Sequence, residues 1–218
     1  MIVTKKRELN KLKENIKNHK SVFLLGCAEC ATLCGTGGEP ELKAMKEALE
    51  SEGKEVTGIF AAKSGCQVLG TKLELKPFKE AINKADCIIV MSCGAGTQTA
   101  AELYENKPVY PANDSMFLGN MTRFQVFDER CSLCGECILD KTGGICPITR
   151  CAKALLNGPC GGSQGGKCEI SPNLPCAWQL IIERLSRTGS LHKLEEIVPP
   201  KNWDQVPTGK SSDKKRGK

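Results

Sequence analysis

The chain reads as α/β: a Rossmann-like or flavodoxin-like parallel-sheet domain over residues 1–120, then a small cysteine-rich, ferredoxin-like, metal-stapled domain with a covering helix over 121–200, then a flexible basic tail over 201–218. Three observations lead there. Short apolar runs alternate with helix-period segments up to about residue 111, the pattern of parallel strands joined by right-handed helical crossovers. From about residue 121 to 177, Gly, Pro and Cys displace the apolar periodicity that a packed core needs, so that stretch requires covalent or metal staples. Eight of the fourteen cysteines lie between Cys131 and Cys176, inside that same stretch.

Each element has its own signal. Residues 4–19 are predicted helical, with Leu9, Leu12 and Ile16 at three- and four-residue spacing. The run from Ser21 to Gly26 predicts a short buried strand. A helix is expected from Glu39 to Glu52, with Leu42, Met45, Ala48 and Leu49 on one face and Gly53 as its C-terminal cap. The pattern repeats as a strand over Glu55 to Ala61, a helix over Leu75 to Lys84, a strand over Cys87 to Met91, a helix over Gly96 to Glu105 and a short strand over Lys107 to Pro111. Beyond Asp114 the periodicity fades. Loops and turns around metal are expected from Cys131 to Cys176, with one short helix at Arg150 to Leu156. A firmer helix over Cys176 to Arg187 carries the apolar stripe Trp178, Ile181, Ile182 and Leu185, and Gly189 ends it. Pro207, Gly209 and a polar, basic run mark 201–218 as a mobile tail.

Composition excludes several function classes. The first twenty residues are charged and amphipathic, with no apolar h-region, and no stretch reaches the roughly 20 apolar residues of a membrane span. The expectation is therefore a soluble protein of a reducing cytoplasm, where a disulfide framework is the weaker account of an even cysteine count. The net charge of +6 is concentrated at the two ends, and the ten aromatic residues avoid those basic runs. Nucleic-acid binding, which wants basic stripes interleaved with aromatics, is not expected.

The cysteines carry the functional argument, because soft thiolates in such number select iron–sulfur clusters or zinc, and only two histidines, His19 and His192, compete. In open parallel sheets ligands gather at the carboxyl ends of the strands. Cys27 follows the first predicted strand, Cys66 the second and Cys93 the third, while Cys30 and Cys34 lie in the loop between Cys27 and the next helix. These five are candidate ligands of a 4Fe-4S cluster, one thiol more than its four positions require. Gly94 and Gly96, with Gly35, Gly37 and Gly38, are candidates to bring backbone N–H groups onto the cluster's sulfurs. Cys87, inside an apolar strand, is expected to be a core thiol.

The second region gives the stronger signal. Cys131-x-x-Cys134-x-x-Cys137 is a ferredoxin-type half motif, and Cys146-Pro147 supplies the Cys-Pro pair that often completes it, across a longer gap. Cys151, Cys160, Cys168 and Cys176 remain, so eight thiols make two four-ligand sites. Spacing leaves open whether both hold 4Fe-4S or one holds zinc, and whether the two ligand sets interleave.

Two motifs resemble other chemistry. The run from Gly161 to Lys167 matches a P-loop at its glycines and lysine but lacks the magnesium-binding Ser or Thr and a preceding strand. Gly94-Ala-Gly96 follows a strand and opens a helix, as a dinucleotide fingerprint does, but its third glycine is missing.

Taken together, Gly26-Cys-Ala-Glu-Cys-Ala-Thr-Leu-Cys34, Cys93-Gly-Ala-Gly96, Cys131-Ser-Leu-Cys-Gly-Glu-Cys137, Gly143-Gly-Ile-Cys-Pro147, Asn157-Gly-Pro-Cys-Gly-Gly162 and Pro175-Cys-Ala-Trp178 resemble the methylenetetrahydrofolate reductase C-terminal domain family, over about residues 20 to 198. That family includes the small iron–sulfur subunit of the two-subunit reductase of acetogenic bacteria. The resemblance implies a partner, a flavin-containing TIM-barrel reductase subunit that converts methylene- to methyltetrahydrofolate in the Wood–Ljungdahl route. It implies electron relay to that flavin, with further electron-donor subunits upstream. No catalytic acid or base stands out in the chain itself.

Overall fold

A computed structural model describes residues 1–203, so the predicted tail lies, from residue 204 onward, outside the described residues. The chain divides into two compact units, one from Met1 to Asp128 and one beginning at Glu129. The first unit contains, in order, β1 (Ile2–Lys6), α1 (Leu9–Asn15), β2 (Ser21–Cys27), α2 (Cys30–Leu33), α3 (Glu39–Glu50), β3 (Glu55–Ala62), α4 (Val68–Glu74), α5 (Lys79–Lys84), β4 (Cys87–Met91), α6 (Gly94–Leu103), β5 (Val109–Pro111) and β6 (Asn113–Arg123). The strand β7 (Val126–Cys131) leads the chain into the second unit, which holds α7 (Pro147–Arg150), β8 (Lys167–Cys168), β9 (Ser171–Pro175) and α8 (Ala177–Arg187).

The four predicted strands form one parallel sheet in the order β3-β2-β4-β5. Alternation along the central strands loads both faces. Val22 and Leu24 of β2, with Cys87, Ile89 and Met91 of β4, pack with Leu12, Ile16, Leu42 and Leu49. Phe23 and Leu25, with Ile88 and Val90, pack on the other face with Leu75, Ile82 and Ala100. A strand buried on both sides reads as a continuous apolar run, which is why β2 and β4 are visible in the sequence. At about 1.5–3 kcal/mol for each large aliphatic side chain buried, these two clusters dominate the unit's stability.

Several expectations are corrected. Residues 2–6 are a strand, not the start of a helix: Val3 and Thr4 are buried and pair antiparallel with β6, so α1 begins only at Leu9. The helix expected from Leu75 to Lys84 starts only at Lys79, as α5, because Pro77 sits in a 3-10 turn over Lys76–Phe78, and α4 over Val68–Glu74 precedes it without having been expected. The eleven-residue β6 escapes a pattern search because only Asn113 and Gly119 along it are buried. It is the central strand of a second sheet ordered β1-β6-β7. In the second unit the short helix lies at Pro147–Arg150, and Ala154 at φ 49° turns the backbone where a helix over 150–156 was expected. The covering helix is present as α8, its Trp178, Ile181 and Leu185 forming a small core with Cys176, Ile145, Cys151 and Leu155.

Candidate functional site

Strand order in the parallel sheet reverses between β2 and β4, and the crevice outside their carboxyl ends is where open α/β sheets bind ligands. The chain after β2 folds back across this point. The N–H of Cys27 donates to the carbonyl of Gly37 at 3.0 Å, and the Thr32 hydroxyl donates to the carbonyl of Cys27 at 2.8 Å. Gly37 passes so close to β4 that a Cβ there would lie 1.7 Å from the Met91 carbonyl oxygen. Buried Asn113 reaches in from β6, its amide donating to the Thr36 carbonyl at 3.2 Å.

The five thiols of this end are placed by three loops. Cys27 is buried at the tip of β2, and its Sγ accepts the Gly65 N–H at 3.5 Å. Cys66 is exposed one residue further on, with its Sγ 3.8 Å from the Ser64 hydroxyl. Cys30 and Cys34 bracket the single turn of α2, and Cys93 is the N-cap residue of α6. Gly94 is hydrogen-bonded within the unit, and Gly96 is closely packed there. The Gly94 N–H donates to the Ser115 hydroxyl at 2.8 Å, and a Cβ on Gly96 would stand 2.5 Å from Ser92 Oγ and 3.3 Å from the Gly65 backbone. Cys87 is fully buried in the apolar cluster of β2 and β4, and that burial, helped by the Asp86 charge, pushes its thiol up to about 12.

In the second unit the structure divides the eight thiols into two quartets. Cys131, Cys134, Cys137 and Cys146 line one open cavity of about 570 Å³, together with Leu133, Glu136, Ile138, Leu139 and Ile148. Cys151, Cys160, Cys168 and Cys176 line another of only about 20 Å³, with Trp178 also in its wall. The thiols that line the two cavities follow one another along the chain.

Local backbone chemistry explains the first quartet. Leu133 at φ 57° and Gly135 at φ 76° are left-handed, which coils the loop tightly between its cysteines. That coil turns the Leu133 N–H onto Cys131 Sγ at 3.4 Å, and Cys134 Sγ donates to the Glu136 carbonyl at 3.6 Å. Cys146 enters from the other side as N-cap of α7. Four soft donors around a roomy cavity, one already receiving a backbone N–H, fit a 4Fe-4S cluster.

The second quartet is built from a turn, a hairpin and a helix start. Gly165 at φ 56° and Gly166 at φ 77° make the two-residue turn in which Gln164 and Lys167 exchange backbone hydrogen bonds, and Cys168 follows directly. This is the glycine run that resembles a P-loop; its role is to turn the chain. The Cys176 N–H donates to the Gly166 carbonyl at 2.8 Å, and α8 begins at the next residue. The Trp178 indole N–H donates to the Leu155 carbonyl at 3.0 Å. Lys153 pairs with Glu169, which is the main reason its ammonium is held above the usual lysine range, with the Cys160 and Cys168 charges adding to it. Four thiols line this small space, the number and type of donor that a single tetrahedral ion takes. The thiols line these cavities without closing on a point: among the described residues, no three Cys, His, Asp or Glu side chains stand in an arrangement that would grip an ion.

Among the described residues no helix is long and apolar enough to cross a membrane. Residues 110–204 match the family described as methylene-tetrahydrofolate reductase C terminal. The match contains both quartets, and the five thiols at the parallel sheet lie outside it. No curated protein and no solved structure matches the chain.

Proposed function

We propose that the chain is the iron–sulfur electron-transfer subunit, of the MetV type, of a two-subunit methylenetetrahydrofolate reductase. In this reading it passes electrons from a donor subunit to the flavin of a TIM-barrel catalytic partner, which reduces methylene- to methyltetrahydrofolate in the Wood–Ljungdahl route. The observation that carries the proposal is the cavity lined by Cys131, Cys134, Cys137 and Cys146, inside the stretch that matches the reductase family. When bound there, a 4Fe-4S cluster supplies one-electron storage. The protein's part is to present four thiolates, to lay the Leu133 N–H against one of them, and to leave an apolar rim at Leu133 and Leu139, which are 60% and 37% exposed. The second cluster is assigned to the thiols at the carboxyl edge of the parallel sheet, drawn from Cys27, Cys30, Cys34, Cys66 and Cys93.

The small closed space among Cys151, Cys160, Cys168 and Cys176 favours zinc for that quartet, as the staple that holds α8 over its loops. If zinc filled both quartets the subunit would dock the flavoprotein without passing electrons. Metal and sulfide analysis of the full chain purified without oxygen separates the two readings. Iron, acid-labile sulfide and a broad visible absorbance that bleaches on reduction are expected, with Cys134→Ser losing iron and Cys168→Ser losing zinc. A colourless protein carrying zinc alone would overturn the electron-transfer reading.

A further inference from the structure

Lys201 follows the last helix of the second unit, and its side chain is only 4% exposed. Its ammonium has no hydrogen-bond partner among the described residues. An ammonium carries three donors, and burying it without hydrogen bonds is costly unless an anionic environment compensates. The nearest identified anion is the Glu136 carboxylate, whose Oε2 is 3.9 Å from Lys201 Nζ, within Coulomb range and beyond hydrogen-bonding distance. Glu136 is half-exposed and stands between Cys134 and Cys137 on the wall of the larger thiol cavity.

We infer that Lys201 is a positioning residue for the site of Cys131, Cys134, Cys137 and Cys146, a buried positive charge that offsets the negative charge of a metal centre held by four thiolates and steadies the cysteine loop through Glu136. The inference rests on reading these four thiols as one metal site. Four thiolates outweigh the charge of a divalent ion or of a 4Fe-4S core, so either occupant leaves a net anionic centre. A lone carboxylate at 3.9 Å does not use the buried donors of Lys201, whereas an anionic centre beside that carboxylate gives the cation a reason to be there. Adding an electron makes such a centre more negative. A fixed cation nearby therefore stabilises the reduced state and raises the reduction potential.

The test is a redox titration of the full chain, isolated without oxygen and followed by its visible absorbance, in the wild type, Lys201→Met and Lys201→Arg. At a fixed solution potential Lys201→Met should lower the reduced-to-oxidised ratio about tenfold, equivalent to about 59 mV for one electron, while Lys201→Arg stays near the wild type. An unchanged potential in Lys201→Met at equal iron content overturns the inference while leaving the iron–sulfur reading intact. Should the wild type contain zinc alone, the iron–sulfur reading fails and the readout becomes zinc transfer to a competing chelator. Lys201→Met should then release zinc about tenfold more readily than Lys201→Arg, and equal release overturns the inference. If Lys201→Met does not accumulate as folded protein, Lys201→Gln takes its place in both readouts.

Discussion

Cys87→Ala separates a core thiol from thirteen candidate ligands and makes a prediction whose sign changes with pH. Cys87 is fully buried among Leu24, Ile89 and their neighbours, and desolvation first, then the Asp86 charge, raises its thiol to about 12. In the unfolded chain it would ionise near 8.5. Between those values the folded state keeps a proton that the unfolded state has lost, so this contribution to stability is fully present below about pH 8.5 and falls as the pH rises. By pH 10.5 the loss is about 2–3 kcal/mol. Removing the sulfur costs about 1 kcal/mol of packing at neutral pH. The wild type should thus be the more stable protein at pH 7.5 and the less stable at pH 10.5, by about 1–2 kcal/mol. Denaturant unfolding at the two pH values under argon measures this, and the other thirteen thiols cancel in the comparison. Metal content should not change. Stability curves that fall in parallel, or metal lost on substitution, would refute the assignment of Cys87 to the core.

Two further outcomes follow from the packing. Gly37→Ala should cost at least 2 kcal/mol, roughly the upper part of the overpacking range, because its Cβ would meet the Met91 carbonyl at 1.7 Å. Gly53→Ala, at φ 79° with no neighbour within 4 Å, should cost only the left-handed penalty of about 1–2 kcal/mol, and equal thermal shifts in the two variants would argue against the close approach at the sheet crevice. Trp178→Phe removes the donor to the Leu155 carbonyl from an otherwise apolar contact and should destabilise the second unit by about 1–3 kcal/mol, read as an earlier loss on heating of the zinc proposed for the smaller quartet. Zinc retained to the wild-type temperature would show that α8 does not brace the smaller quartet.

What the sequence disclosed depended on whether one segment's signal sufficed. The runs Ser21–Cys27 and Cys87–Met91 are apolar throughout because both faces of their sheet are covered, so the strands are legible without knowing their partners. The strand β1 and its partner β6 are not. Thr4 is buried through a hydroxyl contact of 2.6 Å with Thr36, and much of β6 faces solvent, so the pairing exists only in the tertiary fold. Lys201 was equally hidden. A lysine after two prolines near the end of a basic chain carries no mark of burial, and its placement depends on a loop more than sixty residues earlier.

The cysteines show the same division between local and tertiary information. Their spacing marked eight candidate ligands, but not which of them share a cavity. The short helix α7 stands between the two groups of thiols. Cys146 is its N-cap and Cys151 its C-cap, and five residues of helical rise separate them by about 7.5 Å along the axis. Pro147 fixes this geometry at the first helical position, where its missing N–H costs nothing and its φ is already helical. The proline of the Cys-Pro pair starts the single turn of helix that separates Cys146, on the larger cavity, from Cys151, on the smaller one.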